Sequence, residues 1–228
     1  MARKIRFTHF KKQFSENETI FKVLTNVISI ENIKQKGKDL LKFVYLVNQK
    51  KSKINKIHFL DTTYLYRHYD SRYGLLYDHH DFSKENMRPV SEWENNESKY
   101  LKLLQIDYEI ITWFHLVNSD IYKKWKDIIL DTYTKSTKDH EFIKIVDEIV
   151  IEYRLKGNRE SVIGFLLEEC AGGLAAIELY GNITYPGPLN DAILYWVKKY
   201  NLENKFYPYR LSSSHPDLNN QFLMLANT

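Results

Sequence analysis

Cysteine occurs once in these 228 residues, at Cys170. A single thiol excludes an internal disulfide and argues against a cysteine metal site, so a reducing compartment, the cytoplasm, is the expected setting. Long hydrophobic runs are also missing. The opening, MARKIRFTHFKKQF, has no apolar run of signal-peptide length, and the most apolar window, Gly164 to Gly181, carries Glu168, Glu169 and Glu178. Neither reads as a membrane segment. Glycine-rich phosphate loops are lacking too: GxGxxG and GxxxxGK[ST] do not occur, nor do HIGH-like or KMSKS-like motifs, so a mononucleotide site finds no support. The nucleophile elbow GxSxG is missing as well.

What is present is a chain with 43% hydrophobic residues, enough core-forming material for one domain spanning residues 1–228. Its net charge of +4 is unevenly spread: residues 1–56 hold 14 Lys and Arg against 4 Asp and Glu, or +10, which leaves −6 for the rest. A basic end of this kind suits a polyanion, although a lysine-rich solvated surface gives the same count. Tyrosine is abundant at 17 residues, yet no glycine-aromatic RNA-binding signature accompanies it.

Period and punctuation predict the elements. Residues 1–17 read as a basic arm, with a short strand at Lys4 to His9. Phe21 to Ile30 is a β-branched buried strand, Asn32 to Asn48 an amphipathic helix, and Lys56 to Thr62 a second strand. A helical fragment at Tyr64 to His68 and a long loop follow. Ser91 with Glu94 has capping-box form and opens a helix to about Gln105. Tyr108 to His115 is predicted as a third strand, Ser119 to Tyr133 and Asp139 to Arg154 as helices. A further helix begins near Asn158, and Gly181 to Pro186, Leu189 to Tyr200 and Phe206 to Leu211 are read as strand, helix and strand. Residues 212–228 read as a flexible tail. The alternation predicts an α/β fold with a mainly parallel, doubly wound sheet, whose ligands sit beyond the carboxyl ends of the strands.

Within the helix from Asn158, the spacing places Val162, Phe165, Leu166, Glu169, Cys170 and Gly173 on one stripe, with Glu168 pointing elsewhere. A buried Glu169 asks for a cation or donors, or else lies at the edge of the stripe. Cys170 reads as core. Asp78-His79-His80-Asp81 is the densest set of metal-type ligands, but adjacent side chains diverge, and no metal or other cofactor is expected. Ser29, His68 and Asp61 fall near the predicted rim, but without an elbow or oxyanion loop they make a weak hydrolase.

Together these pieces carry a resemblance. Phe165-Leu-Leu-Glu-Glu169-Cys-Ala followed by Tyr185-Pro186-Gly187 looks like the C-terminal part of the tRNA-dependent cyclodipeptide synthases, in the branch whose signature ends in Tyr-Pro. Asp61-Thr-Thr-Tyr-Leu-Tyr-Arg67-His68 resembles that branch's Asp-x-Leu-x-Arg-His stretch, and Ser91-Glu-Trp93-Glu-x-Asn its Trp-containing helix. The family's Gly-x-Ser turn at the end of the first strand matches Val27-Ile28-Ser29, with valine for glycine, and the tyrosine four residues before its glutamate is Phe165 here.

The resemblance implies a Rossmann-like fold similar to the class I aminoacyl-tRNA synthetase catalytic domain, and ping-pong chemistry on aminoacyl-tRNA without a cofactor. Ser29 would accept the first aminoacyl group, a second aminoacyl-tRNA would lead to a dipeptidyl-enzyme, and its free amine would close the diketopiperazine. Glu169 would bind the α-ammonium and Tyr185 relay a proton, while Val27, Asn32, Phe165, Pro186, Arg67 and His68 would shape the substrate site. Lys34, Lys36, Lys38, Lys84, Arg88, Lys99 and Lys102 are the candidates for the tRNA backbone. The expected state is a monomer free of membrane. The alternatives are an impaired relative that only binds aminoacyl-tRNA, suggested by Val27 and Phe165, and a tRNA-independent Rossmann-like transferase or hydrolase.

Overall fold

A computed structural model of the chain describes residues 21–28, 36–49, 51–70, 88–135, 140–153, 158–186 and 190–209. Five strands, β1 (Phe21–Ile28), β2 (Ile54–Asp61), β3 (Asp107–Thr112), β4 (Asn182–Pro186) and β5 (Phe206–Tyr209), form one sheet in the order β3-β2-β1-β4-β5. Every adjacent pair is parallel. This is the doubly wound arrangement that the strand-helix alternation predicts. The strand order reverses between β1 and β4, where such sheets open their ligand crevice.

Helices cover both faces, as an all-parallel sheet requires. On one face lie α1 (Gly37–Asn48) and α2 (Arg88–Leu101). Leu40, Val44 and Val47, at helical spacing on α1, meet Leu24, Ile57 and Phe59 of the sheet and Trp93 of α2. The N-terminus of α1 is satisfied from α2: the buried Glu97 carboxylate accepts the Gly37 N–H at 2.7 Å. An acceptor there replaces a missing side-chain cap, since Lys36 provides none.

The other face carries α3 (Trp113–Val117), α4 (Asp120–Lys135), α5 (His140–Tyr153), α6 (Arg159–Tyr180) and α7 (Asp191–Lys199). Their core includes Trp113, Ile129, Phe142, Leu166, Leu174 and Trp196. The sheet's share of that cluster comes from Leu60 and Ile183, with Val27 packed against it. The central helix α6 starts at Asn158, whose side chain accepts the Ser161 N–H at 2.8 Å, and stops at Gly181, whose φ of +84° suits glycine.

The predicted strand Tyr108 to His115 is corrected by the structure: the strand ends at Thr112 and Trp113 opens a helix. Thr112 Oγ1 meets His115 Nδ1 at 2.7 Å and caps the new turn, which swings Trp113 under α6. The predicted helix from Asn32 is described from Gly37, the fragment at Tyr64 to His68 is a 3-10 turn over Thr63–His68, and the predicted strand at Lys4 to His9, the arm, the loop with Asp78 to Asp81 and the tail lie outside the described residues.

Candidate functional site

The carboxyl ends of β1, β2 and β4 meet at one rim. Asn26 of β1 pairs with Thr184 of β4, two residues before each strand ends. On the other flank Ile28 pairs with Asp61 of β2. The Ile28 carbonyl accepts both the Thr62 N–H at 2.8 Å and the Thr62 hydroxyl at 3.0 Å. Two donors from one threonine thus pin the tip of β1, immediately before Ser29.

Beyond β2 the buried Asp61 carboxylate accepts the Thr63 N–H at 3.1 Å and starts the 3-10 turn. The turn presents Arg67 and His68 to α6. There the sequence expectation is corrected, because the deeply buried carboxylate is Glu168, 7% exposed, while Glu169 is half-buried. Glu168 is surrounded by donors: Arg67 gives two hydrogen bonds at 2.7 and 2.5 Å, His68 Nε2 stands at 3.0 Å and Trp113 Nε1 at 2.9 Å. Each carboxylate oxygen therefore has two partners. Burial alone would raise this group's pKa, but the hydrogen bonds from His68, Arg67 and Trp113 outweigh it and hold Glu168 at about 2.

Glycines make the approach possible. A Cβ on Gly164 would stand 2.9 Å from His68 Nδ1, and one on Gly172 would clash with the Trp113 ring at 2.1 Å. Gly164, Glu168 and Gly172, spaced i, i+4, i+8, form one row that receives His68, Arg67 and Trp113. Arg67 also lies 4.0 Å over the Tyr64 ring, and burial with the charge of Glu168 pushes the nearby Tyr122 hydroxyl far up.

The next row of α6 is Phe165, Glu169 and Gly173. Phe165 packs against Tyr69 at 4.8 Å and Tyr66 at 5.9 Å between ring centroids. The Glu169 carboxylate accepts a hydrogen bond from Asn190 Nδ2 at 2.6 Å. Cys170 is buried, as a core cysteine should be, and burial together with the Glu169 charge pushes its thiol well above the usual range.

Of the residues that sequence reasoning singled out, Val27 and the backbone of Tyr185 and Pro186 lie on β1 and β4, Phe165 and Glu169 on α6, and Arg67 and His68 on the turn after β2, where they reach α6. Ser29 and Asn32 lie outside the described residues, as do Lys34 and Lys84. Lys38, Lys99 and Lys102 are exposed, and Lys36 is half-buried. The Gly37–Glu97 contact sets Lys36 and Lys38 beside one partner and Lys99 two residues from the other. Arg88 begins α2. Sequence reasoning missed Glu168, Trp113, Thr62 and Asn190. The glycines four residues either side of Glu168 were the available signal. Among the described residues no group of His, Cys, Asp and Glu could hold a metal ion, and no helix is long and apolar enough to cross a membrane.

This parallel, doubly wound fold is shared with solved cyclodipeptide synthases. No family model and no curated protein matches the sequence. The chain is similar to the cyclodipeptide synthase from Candidatus Glomeribacter gigasporarum bound to Phe-tRNAPhe, at 20% identity, 91% and 95% coverage of the two chains and a TM-score of 0.62. It is similar also to a cyclodipeptide synthase from Fluoribacter dumoffii, at 18% identity, 82% and 87% coverage and a TM-score of 0.61. A third, from Staphylococcus haemolyticus, is 14% identical, with 92% and 97% coverage and a TM-score of 0.59.

Proposed function

We propose that the chain is a cyclodipeptide synthase that joins two aminoacyl groups, each delivered as an ester on tRNA, into a diketopiperazine. One observation carries the reading: a fold shared over nearly the whole chain with cyclodipeptide synthases, in which the Glu169 helix and the Tyr185-Pro186 strand stand beside the strand that leads into Ser29.

In this reading the Ser29 hydroxyl attacks the ester carbon of the first aminoacyl-tRNA. Its proton passes to the departing ribose oxygen, and an aminoacyl-serine ester forms with little change in free energy. No ATP is needed. The amine of that acyl group then attacks the ester carbon of a second aminoacyl-tRNA, releases the second tRNA and leaves a dipeptidyl-serine. Its free amine finally attacks the serine ester, which closes the ring and returns the proton to Ser29. Glu169 binds the α-ammonium, orients it and moves its proton, and Tyr185 relays the proton at ring closure. Asn32, Val27, Phe165 and Pro186 form the wall around the acyl group, with Arg67 and His68 setting its β2 side through Glu168. Lys34, Lys36, Lys38, Lys84, Arg88, Lys99 and Lys102 meet the tRNA phosphates, so binding weakens steeply with salt. The chain works as a single catalytic domain, a cytoplasmic monomer.

The test is expression in a bacterial host with mass spectrometry of the medium, followed by the purified protein with charged tRNAs. Cyclic dipeptide formed by the wild type and lost in Ser29→Ala supports the reading. Product that persists in Ser29→Ala removes the covalent step, and RNase-resistant activity removes tRNA. A protein that binds charged tRNA and releases nothing is the impaired relative, favoured by Val27 in place of glycine and Phe165 in place of tyrosine.

A further inference from the structure

Asn190 performs two tasks with one amide. Its Oδ1 accepts the Ile193 N–H at 2.9 Å and so caps α7, while its Nδ2 donates to Glu169 Oε2 at 2.6 Å. The two contacts fix each other. A flipped amide would set its NH2 against the Ile193 N–H and its oxygen against the carboxylate, two repulsive contacts together. The cap itself is anchored, because Ala192, Ile193, Trp196 and Val197 of α7 are buried beside α6. Asn190 also follows the end of β4 by only four residues, so it ties the Tyr185-Pro186 strand to the glutamate helix.

A glutamate side chain on a helix has several rotamers, and a carboxylate that must meet an amine at one place needs most of them removed. A donor held by a helix cap does this. We propose that Asn190 is a positioning residue for Glu169, its amide holding the carboxylate where the α-ammonium of the aminoacyl substrate meets it. The inference rests on the assignment of Glu169 to that amine.

Serine and aspartate cap helices about as well as asparagine, so Asn190→Ser and Asn190→Asp keep α7 while deleting the donor. Next to Glu169 in the chain stand Glu168, held ionised by Arg67, His68 and Trp113, and the Cys170 thiol, which the Glu169 charge helps push up, while Asp191 follows Asn190 at the start of α7. Cyclic dipeptide formation is measured from pH 5.5 to 9, with melting temperature and tRNA affinity alongside. Asn190→Ser is expected to melt within about 2 °C of the wild type and Asn190→Asp a few degrees lower, from the repulsion between the two carboxylates, and both to bind charged tRNA equally well. Asn190→Ser loses roughly tenfold in kcat, the cost of one hydrogen bond to a charged group. Asn190→Asp loses more, and the acid limb of its profile moves up by about one pH unit, because a second carboxylate favours protonation of Glu169. Ser and Asp variants with the wild-type rate and pH profile would reduce Asn190 to a helix cap and overturn the inference alone. A wild type that releases no cyclic dipeptide overturns the proposed function and this inference with it.

Discussion

Two neighbouring rows of α6 carry nearly the same residues and meet different surroundings. Gly164, Glu168 and Gly172 are closed over by His68, Arg67 and Trp113, with both oxygens of the carboxylate doubly satisfied. Phe165, Glu169 and Gly173, turned by one residue, hold a half-buried carboxylate that accepts from Asn190, and no described atom beyond the chain neighbours and α6's own adjacent backbone comes within 4 Å of a Cβ placed on Gly173. A carboxylate saturated by protein donors has nothing left for a substrate and serves to hold elements together. One at half burial can do chemistry. The contrast gives Glu168 a structural part and leaves Glu169 as the carboxylate that the proposed reaction would use, and it can be broken at each residue.

The largest expected effect on stability is at Glu168. Glu168→Gln removes the charge that compensates Arg67 and turns an amide NH2 toward donors, so it should cost about 3–5 kcal/mol, read from the urea midpoint. The acid limb of stability should change with it. Because the folded carboxyl sits at about 2 against 4.5 for the ordinary group, its contribution is complete above about pH 4.5 and is lost as pH falls from there towards 2. Over that window the wild type should lose roughly 3 kcal/mol that Glu168→Gln does not lose. A variant as stable as the wild type at pH 7 would show that the donors are not organised by this charge.

Glu169→Gln should behave in the opposite way. Its amide oxygen can still accept from Asn190, so stability should move by less than about 1 kcal/mol. Cyclic dipeptide formation should fall about a hundredfold or more, because a neutral group can neither hold the ammonium nor take its proton. If instead Glu169→Gln unfolds the protein and retains activity per folded molecule, the two rows have been assigned the wrong way round. Gly172→Ala comes next, at about 1–3 kcal/mol of destabilisation by thermal melting, since its methyl would clash with the Trp113 ring and the ring is held by its bond to Glu168.

Much of this fold could be read from residue spacing, because its strands are short β-branched runs and most of its helices have one apolar side. The rows on α6 could not be told apart in that way. That helix is buried on several sides, with Leu166, Cys170, Ala171, Leu174 and Ala175 all below 3% exposure, so apolar period does not say which glutamate faces inward. The partners of Glu168 lie 55 to 101 residues away in the chain, and only folding joins them. The short helix at Trp113 was hidden in the β-rich string YEIITWFH, where a single threonine cap outweighs strand propensity. The outline of the candidate site was more legible: Arg67, His68, Glu169 and Tyr185-Pro186 could all be proposed from motifs, whereas Asn190, five residues beyond Tyr185, stands in none of them.

The smallest expected effect is the sharpest test of the contrast, because it asks for a sign. Glycine inside a helix costs roughly 1 kcal/mol relative to alanine, and the protein bears that cost at two consecutive positions. At Gly172 the Trp113 ring explains it. At Gly173 no contact among the described residues does, so Gly173→Ala should raise the melting temperature, by up to about 1 kcal/mol of added stability, while Gly172→Ala lowers it. Opposite signs from the same methyl group, one residue apart, are what a closed row beside an open one requires. A loss of stability at Gly173 as large as at Gly172 would mean that the second row is packed as tightly as the first, and Glu169 would then have no more access to a substrate than Glu168.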